Sequence, residues 1–224
     1  MIKRALRSGV RAARQNLVPG LILQTLGVIL VVSYYNSELI ASALNSLGEL
    51  KQRHTIPFAF ISTALFGSIV PWTAAALFTP QNHRSPLRHL PWLVLYWGYS
   101  GVQVNYFYEL QAVLFGTGTD VWTIIKKTSF DQFVFSVLIA VPQMTMAYLY
   151  IGKDLSWQRT RDALKEKSFL ERAIPVLIGN LGVWLPAISI IYLFPLPLQL
   201  PLANLVLGFW CLLLTFFSND QESV

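Results

Sequence analysis

Charge is what this chain has least of. Only 12% of its residues are Asp, Glu, Lys or Arg, about half the roughly 25% of soluble domains. The 44 residues from Ile174 to Phe217 include no Asp, Glu, Lys, Arg or His at all. A soluble domain with one apolar tail is excluded by the spread of apolar runs over the whole length. There is a single cysteine, Cys211, which excludes an intrachain disulfide and any Cys-rich metal site. It sits in an apolar run and reads as a small hydrophobe in a helix interface. The three histidines, His54, His83 and His89, fall between the apolar runs. His83 and His89 are six apart, which fits no helical metal-ligand spacing, and read as solvated loop residues. Ser-His and Cys-His constellations and a paired-carboxylate motif are also missing. The expectation is therefore no enzyme, no metal and no cofactor. GTGTD at 116–120 lacks the Lys-Ser/Thr ending of a phosphate loop and reads as a turn.

What is present is a series of apolar runs, each near the ~20 residues that a bilayer crossing needs. The expected fold is all-α: a polytopic transmembrane helical bundle of about six spans, with amphipathic interfacial helices, in one integral-membrane domain over 1–224. The spans fall at about 17–35, 56–79, 91–115, 130–151, 172–194 and 198–217, with amphipathic segments at 37–51 and 153–168. Pro195, Pro197 and Pro201 divide the uncharged stretch into a hairpin, since proline ends helices. Pro57 suits a first turn. Pro71 and Pro142 predict bends in the second and fourth spans.

Charge also sets an expected orientation. Segments 1–16, 80–90 and 152–172 hold 13 Lys/Arg, against 4 in 36–55, 116–129 and 195–197. That asymmetry places the first set on the cytoplasmic side. Residues 1–15 are rich in arginine and contain no acid; they read either as a cationic flank to the first span or as a mitochondrial-type presequence. Segment 152–172 reads as basic and amphipathic, with Trp157 at headgroup level and anionic lipid headgroups, not nucleic acid, as its partner.

Polar and small residues inside the spans mark packing faces and candidate sites. Gly20, Gln24 and Gly27 share a face of the first span, and Thr63 and Gly67 are four apart in the second. Gly98, Gly101, Asn105 and Glu109 recur on one face of the third. Asn180 and Trp184 mark the fifth; Asn204, Gly208, Cys211 and Thr215 mark the sixth. Such faces serve packing within the chain or between copies in a homo-oligomer equally. In the 37–51 segment, Leu39, Ile40, Leu44 and Leu47 oppose Glu38, Ser42, Asn45 and Glu49. Ser129–Gln132 and Ser168–Glu171 have capping-box spacing. Glu109 is an intramembrane acid facing a cavity, the bundle or a partner, or else an interfacial carboxylate near a helix end. Asp131 is either a helix-capping acid or, with Glu109 and Lys127, part of a charged cluster at a cavity mouth. The candidate polar cluster is Asn105, Glu109, Lys127, Asp131, Gln132, Asn180, Trp184 and Asn204.

GVQVNYFYELQAVLFG (101–116), KKTSFDQFVFS (126–136) and the stretch from Ile174 to Thr215, with Asn180, Trp184, Pro186, Pro195 and Trp210, occur in an order that resembles the Mpv-seventeen / peroxisomal-membrane-protein-twenty-two family. FGSIVPW (66–72) is a weaker match. The resemblance covers about half the chain. Leu185 separates Trp184 from Pro186, and the proline usual after Asp-Gln is missing, so the chain is similar to a divergent, bacterial-type member. The resemblance implies a small helical protein of a bacterial inner, mitochondrial inner or peroxisomal membrane, linked to pore formation and metabolite passage. The leading functional expectation is a pore for small solutes or ions. The alternative is a non-conducting protein that organises lipid or a partner complex.

Overall fold

A computed structural model describes residues 17–78 and 85–222. All its regular elements are helices. They are α1 (Leu17–Asn36), α2 (Glu38–Arg53), α3 (Thr55–Phe78), α4 (Leu90–Phe115), α5 (Val121–Gly152), α6 (Trp157–Glu166), α7 (Phe169–Ile191) and α8 (Leu196–Glu222). The expected flank 1–15, His83 and Arg84, and the side chains from Leu213 onward, Thr215 among them, lie outside what is described.

Three of these helices, α3, α5 and α7, are long and apolar enough to cross a membrane. The pair α1–α2, bent by 103° at Ser37, makes a fourth if it is one span. Among the described residues, three of the six expected spans, or four with the bent pair, thus meet the length and apolarity of a crossing. The third expected span forms as α4, but Gln103, Asn105, Glu109 and Gln111 interrupt its apolar run. The sixth forms as α8, which is apolar over Leu196–Leu212, the part whose side chains are described.

Burial is inverted relative to a water-soluble domain. Leu77, Val113, Leu138 and Ile61 are exposed, whereas Asn105, Gln111, Lys127, Asp131 and Gln132 are buried. Exposed apolar surface on this scale suits a hydrocarbon solvent, in which polar groups must find partners inside the protein. The interior is centred on Phe107, which stacks on Phe135 with ring centroids 4.0 Å apart, and on Tyr108 edge-on to Tyr192 at 5.8 Å.

α3 and α4 pack closely because α4 presents glycine. A Cβ at Gly101 would collide with the Ala59 carbonyl and Thr63, and one at Gly98 with the Phe60 ring. Pro71 and Pro142 do not break their helices. Each is preceded by π-helical backbone, at Leu65–Ile69 and Asp131–Ala140. The amide just before each proline bonds five residues back, Val70 to Leu65 and Val141 to Ser136. A proline in mid-helix removes one donor and crowds the carbonyl four residues earlier; widening the preceding turn accommodates that crowding.

Several local expectations are met and others corrected. Ser168 and Glu171 form the capping box of α7. Ser129 and Gln132 do not, because Asp120 caps the helix earlier, accepting from the Trp122 and Thr123 amides, and α5 runs through Ser129 unbroken. The expected fourth span therefore starts nine residues sooner, at Val121. Pro195 and Pro197 bound the α7–α8 turn, but Pro201 lies inside α8. On α2 the buried face is Gly48 and Lys51, with Leu44 packed on the core, while Leu39 is exposed. Gln24 donates to the Val183 carbonyl and Gly27 meets Ile190, but Gly20 faces open space. His89, expected to be solvated, is buried: Asp154 draws it in.

Candidate functional site

α3, α4, α5, α7 and α8 enclose a cavity of about 560 Å³. Its lower end is set by Asp131 on α5. Near its other end, Trp97 Nε1 donates to Tyr148 Oη at 3.1 Å, with Tyr96 edge-on to Tyr148. Asp131 and Tyr148 are 17 residues apart on α5, and both line the cavity. The cavity is therefore elongated along the bundle. Ser100 and Gln103 enter its wall from α4, Ser136 and Gln143 from α5, Asn180 and Trp184 from α7, and Asn204 from α8.

The polar end is a chain of hydrogen bonds whose direction is forced. Tyr192, at the C-terminal end of α7, donates its hydroxyl to Asp131 Oδ2 at 2.9 Å. Its oxygen accepts from Gln111 Nε2 at 2.7 Å. Gln132 Nε2 donates to Asp131 Oδ1 at 2.8 Å. A carboxylate can only accept, so Tyr192 must donate to it and Gln111 must donate to Tyr192. All four side chains are at least 95% buried. The amide oxygens of Gln111 and Gln132 face away from these bonds and have no partner.

Five of the eight candidate residues line the cavity: Asp131, Gln132, Asn180, Trp184 and Asn204. Asn204 also ties α8 to α3, accepting from Thr63 Oγ1 at 2.9 Å and donating to Ser62 Oγ at 2.9 Å. Asn105, Glu109 and Lys127 do not line it. Asn105 shares the Gly98–Gly101 face, which is packed on α3, and donates to Glu109 Oε1 at 2.9 Å. Glu109 pairs with Lys51 of α2 at 3.7 Å. Lys127 stands behind the wall, its ammonium 5.6 Å from the centre of the Tyr192 ring. The expected cluster of Glu109, Lys127 and Asp131 is thus split: the two acids sit on different faces, and α2, read as interfacial, supplies the partner of Glu109.

Sequence reasoning missed Gln111 and Tyr192, the residues that hold Asp131. Gln111 lies two residues beyond Glu109, about 200° round the helix and so on the far side of α4. Tyr192 was the polar tip at the end of an apolar helix. A buried carboxylate needs donors, and that requirement was the available signal. A second polar cluster closes the opposite end of the bundle. Asp154, in left-handed backbone with φ 61°, accepts from His89 Nε2 at 3.1 Å and pairs with Arg88 Nη2 at 2.7 Å. Its carboxyl is held below the usual range chiefly by the His89 hydrogen bond, with the Arg88 charge adding and desolvation opposing. Among the described residues no group of three His, Cys, Asp or Glu is placed to hold a metal ion.

Compared with protein-family models, with curated proteins and with solved structures, the chain gives no match, so the chemistry of the cavity is read from its own residues.

Proposed function

We propose that this chain is a multi-pass membrane protein whose helical bundle holds a permeation pathway for small solutes or ions. The observation that carries this reading is the elongated cavity with a carboxylate at one end. Its lining follows α5 from Asp131 to Tyr148, so it runs along the bundle. Polar side chains recur along its wall, as solute pathways require. The apolar exterior supports the membrane setting, and the motif order that resembles the Mpv-seventeen / peroxisomal-membrane-protein-twenty-two family supports the same class of function. Asp131 is assigned the charge selectivity, and Glu109, off the cavity, a packing role.

The test is solute flux and single-channel conductance in proteoliposomes, wild type beside Asp131→Asn. Conductance whose reversal potential moves toward non-selectivity in the variant is expected. Silence at high protein density, with circular dichroism showing intact helices, overturns the proposal. It would leave the non-conducting organiser, with the exposed cations Arg159 and Lys165 of α6 on lipid headgroups.

A further inference from the structure

The acidic end of the cavity gathers acceptors: the Asp131 carboxylate and the unpartnered Gln132 amide oxygen. Asp131 is the single charged side chain among the described lining residues, and it has no ion-pair partner among the described residues. Lys127, one turn earlier on α5, lies over the Tyr192 ring and outside the lining. A desolvated carboxylate without a cation is costly, so the site is incomplete electrostatically.

The hydrogen-bond inventory says what would complete it. Each Asp131 oxygen already accepts one bond, from Gln132 and from Tyr192, and has capacity for another. Gln132, 1% exposed, has its Oε1 without a partner, and that side chain lines the cavity. Flipping the Gln132 amide would set its oxygen against the carboxylate, so the free atom there is the acceptor. An incoming group must therefore bring positive charge and N–H donors together. An anion meets Asp131 with like charge. Between its polar groups the wall carries aromatic side chains, Tyr108 and Trp184 among them, which give an organic tail a π face and apolar surface.

We propose that this end of the cavity binds the head of a primary organic ammonium ion. Its N–H groups bond Asp131 and Gln132 Oε1, and its alkyl or aryl tail lies along the aromatic wall. The inference deepens the permeation reading by naming a solute class, but binding itself does not depend on conduction.

The test uses the full chain in nanodiscs of zwitterionic phosphatidylcholine, with equilibrium binding of n-butylammonium, 1-butanol and butyrate. Wild type should bind n-butylammonium at least tenfold more tightly than 1-butanol, and butyrate most weakly. Asp131→Asn, of the same shape, should bring amine and alcohol to parity. Gln132→Met should weaken n-butylammonium several-fold and leave tetramethylammonium, which has no N–H, unchanged. Parity of amine and alcohol in wild type, or butyrate binding as tight as the amine, overturns the proposal. Amine binding in a protein that does not conduct overturns the permeation reading alone; conduction without amine preference overturns this one alone.

Discussion

Tyr192→Phe isolates the hydrogen-bond chain better than any change at Asp131, because it deletes one oxygen and leaves the ring packing in place. The hydroxyl makes two bonds, donating to Asp131 and accepting from Gln111. A hydrogen bond to a charged group contributes about 1.5–3 kcal/mol. Asp131 is left with the Gln132 donor on its other oxygen, so the lower part of that range applies. Gln111 fares worse. It is 0% exposed and its Oε1 is already unpartnered, so its amide would lose the Tyr192 bond and be left with the Asp131 carboxylate alone. An unsatisfied buried donor costs about 1–3 kcal/mol, although partners found in the membrane-embedded unfolded state reduce such values to an average near 0.6 kcal/mol. The expected loss is about 2–3 kcal/mol. Gln111→Met removes the amide altogether, so the double variant should be less destabilised than the sum of the singles by at least about 1 kcal/mol. Equilibrium unfolding in mixed detergent micelles, followed by far-ultraviolet circular dichroism, measures all three variants against wild type. A Tyr192→Phe loss under about 0.5 kcal/mol, or additivity within about 0.5 kcal/mol, would show that no such chain links α4, α5 and α7.

Three further outcomes are expected. Gly101→Ala should cost about 1–3 kcal/mol in the same assay, because the added methyl meets the Ala59 carbonyl and forces α3 from α4; an unchanged midpoint would deny that close approach. Glu109→Gln should destabilise by about 1 kcal/mol, since buried Lys51 loses its partner but Glu109 is 41% exposed and screened; a shift in reversal potential would return Glu109 to the pathway. The depressed carboxyl of Asp154 contributes stability above its ordinary value of about 3.9 and loses it as pH falls through the lower folded value. The stability difference between wild type and Asp154→Asn should therefore shrink as pH falls below about 4; a difference that stays constant down to about pH 2 would contradict this.

The helical runs were legible because composition and proline placement are local signals. Ile174–Phe217 announced a hairpin, and Pro195 and Pro197 bound its turn. The Gly98–Gly101–Asn105 face was legible as a face, since period alone places residues together on a helix. What that face meets was not legible. It packs on α3, and the adjacent stripe with Ser100, Gln103 and Tyr108 lines the cavity. Asp131-Gln132 read both as a helix cap and as a site; the choice depended on Asp120 having already capped α5, eleven residues upstream. His89 read as solvated because its partner, Asp154, is 65 residues away.

The π turn at Leu65–Ile69 divides α3 into two lengths with different wheel phases. Before it, the helix sets Ala59 and Thr63 against α4; beyond it, Val70–Phe78 packs on α8. The turn acts as a one-residue phase shifter that lets a single span serve two neighbours on separate sides. Deleting one residue there would give a more regular α-helix while rotating everything beyond it by about 100°, the angle per residue. Alignments and engineered deletions at this point change which helices are neighbours, even where they leave length, hydropathy and helix content nearly untouched.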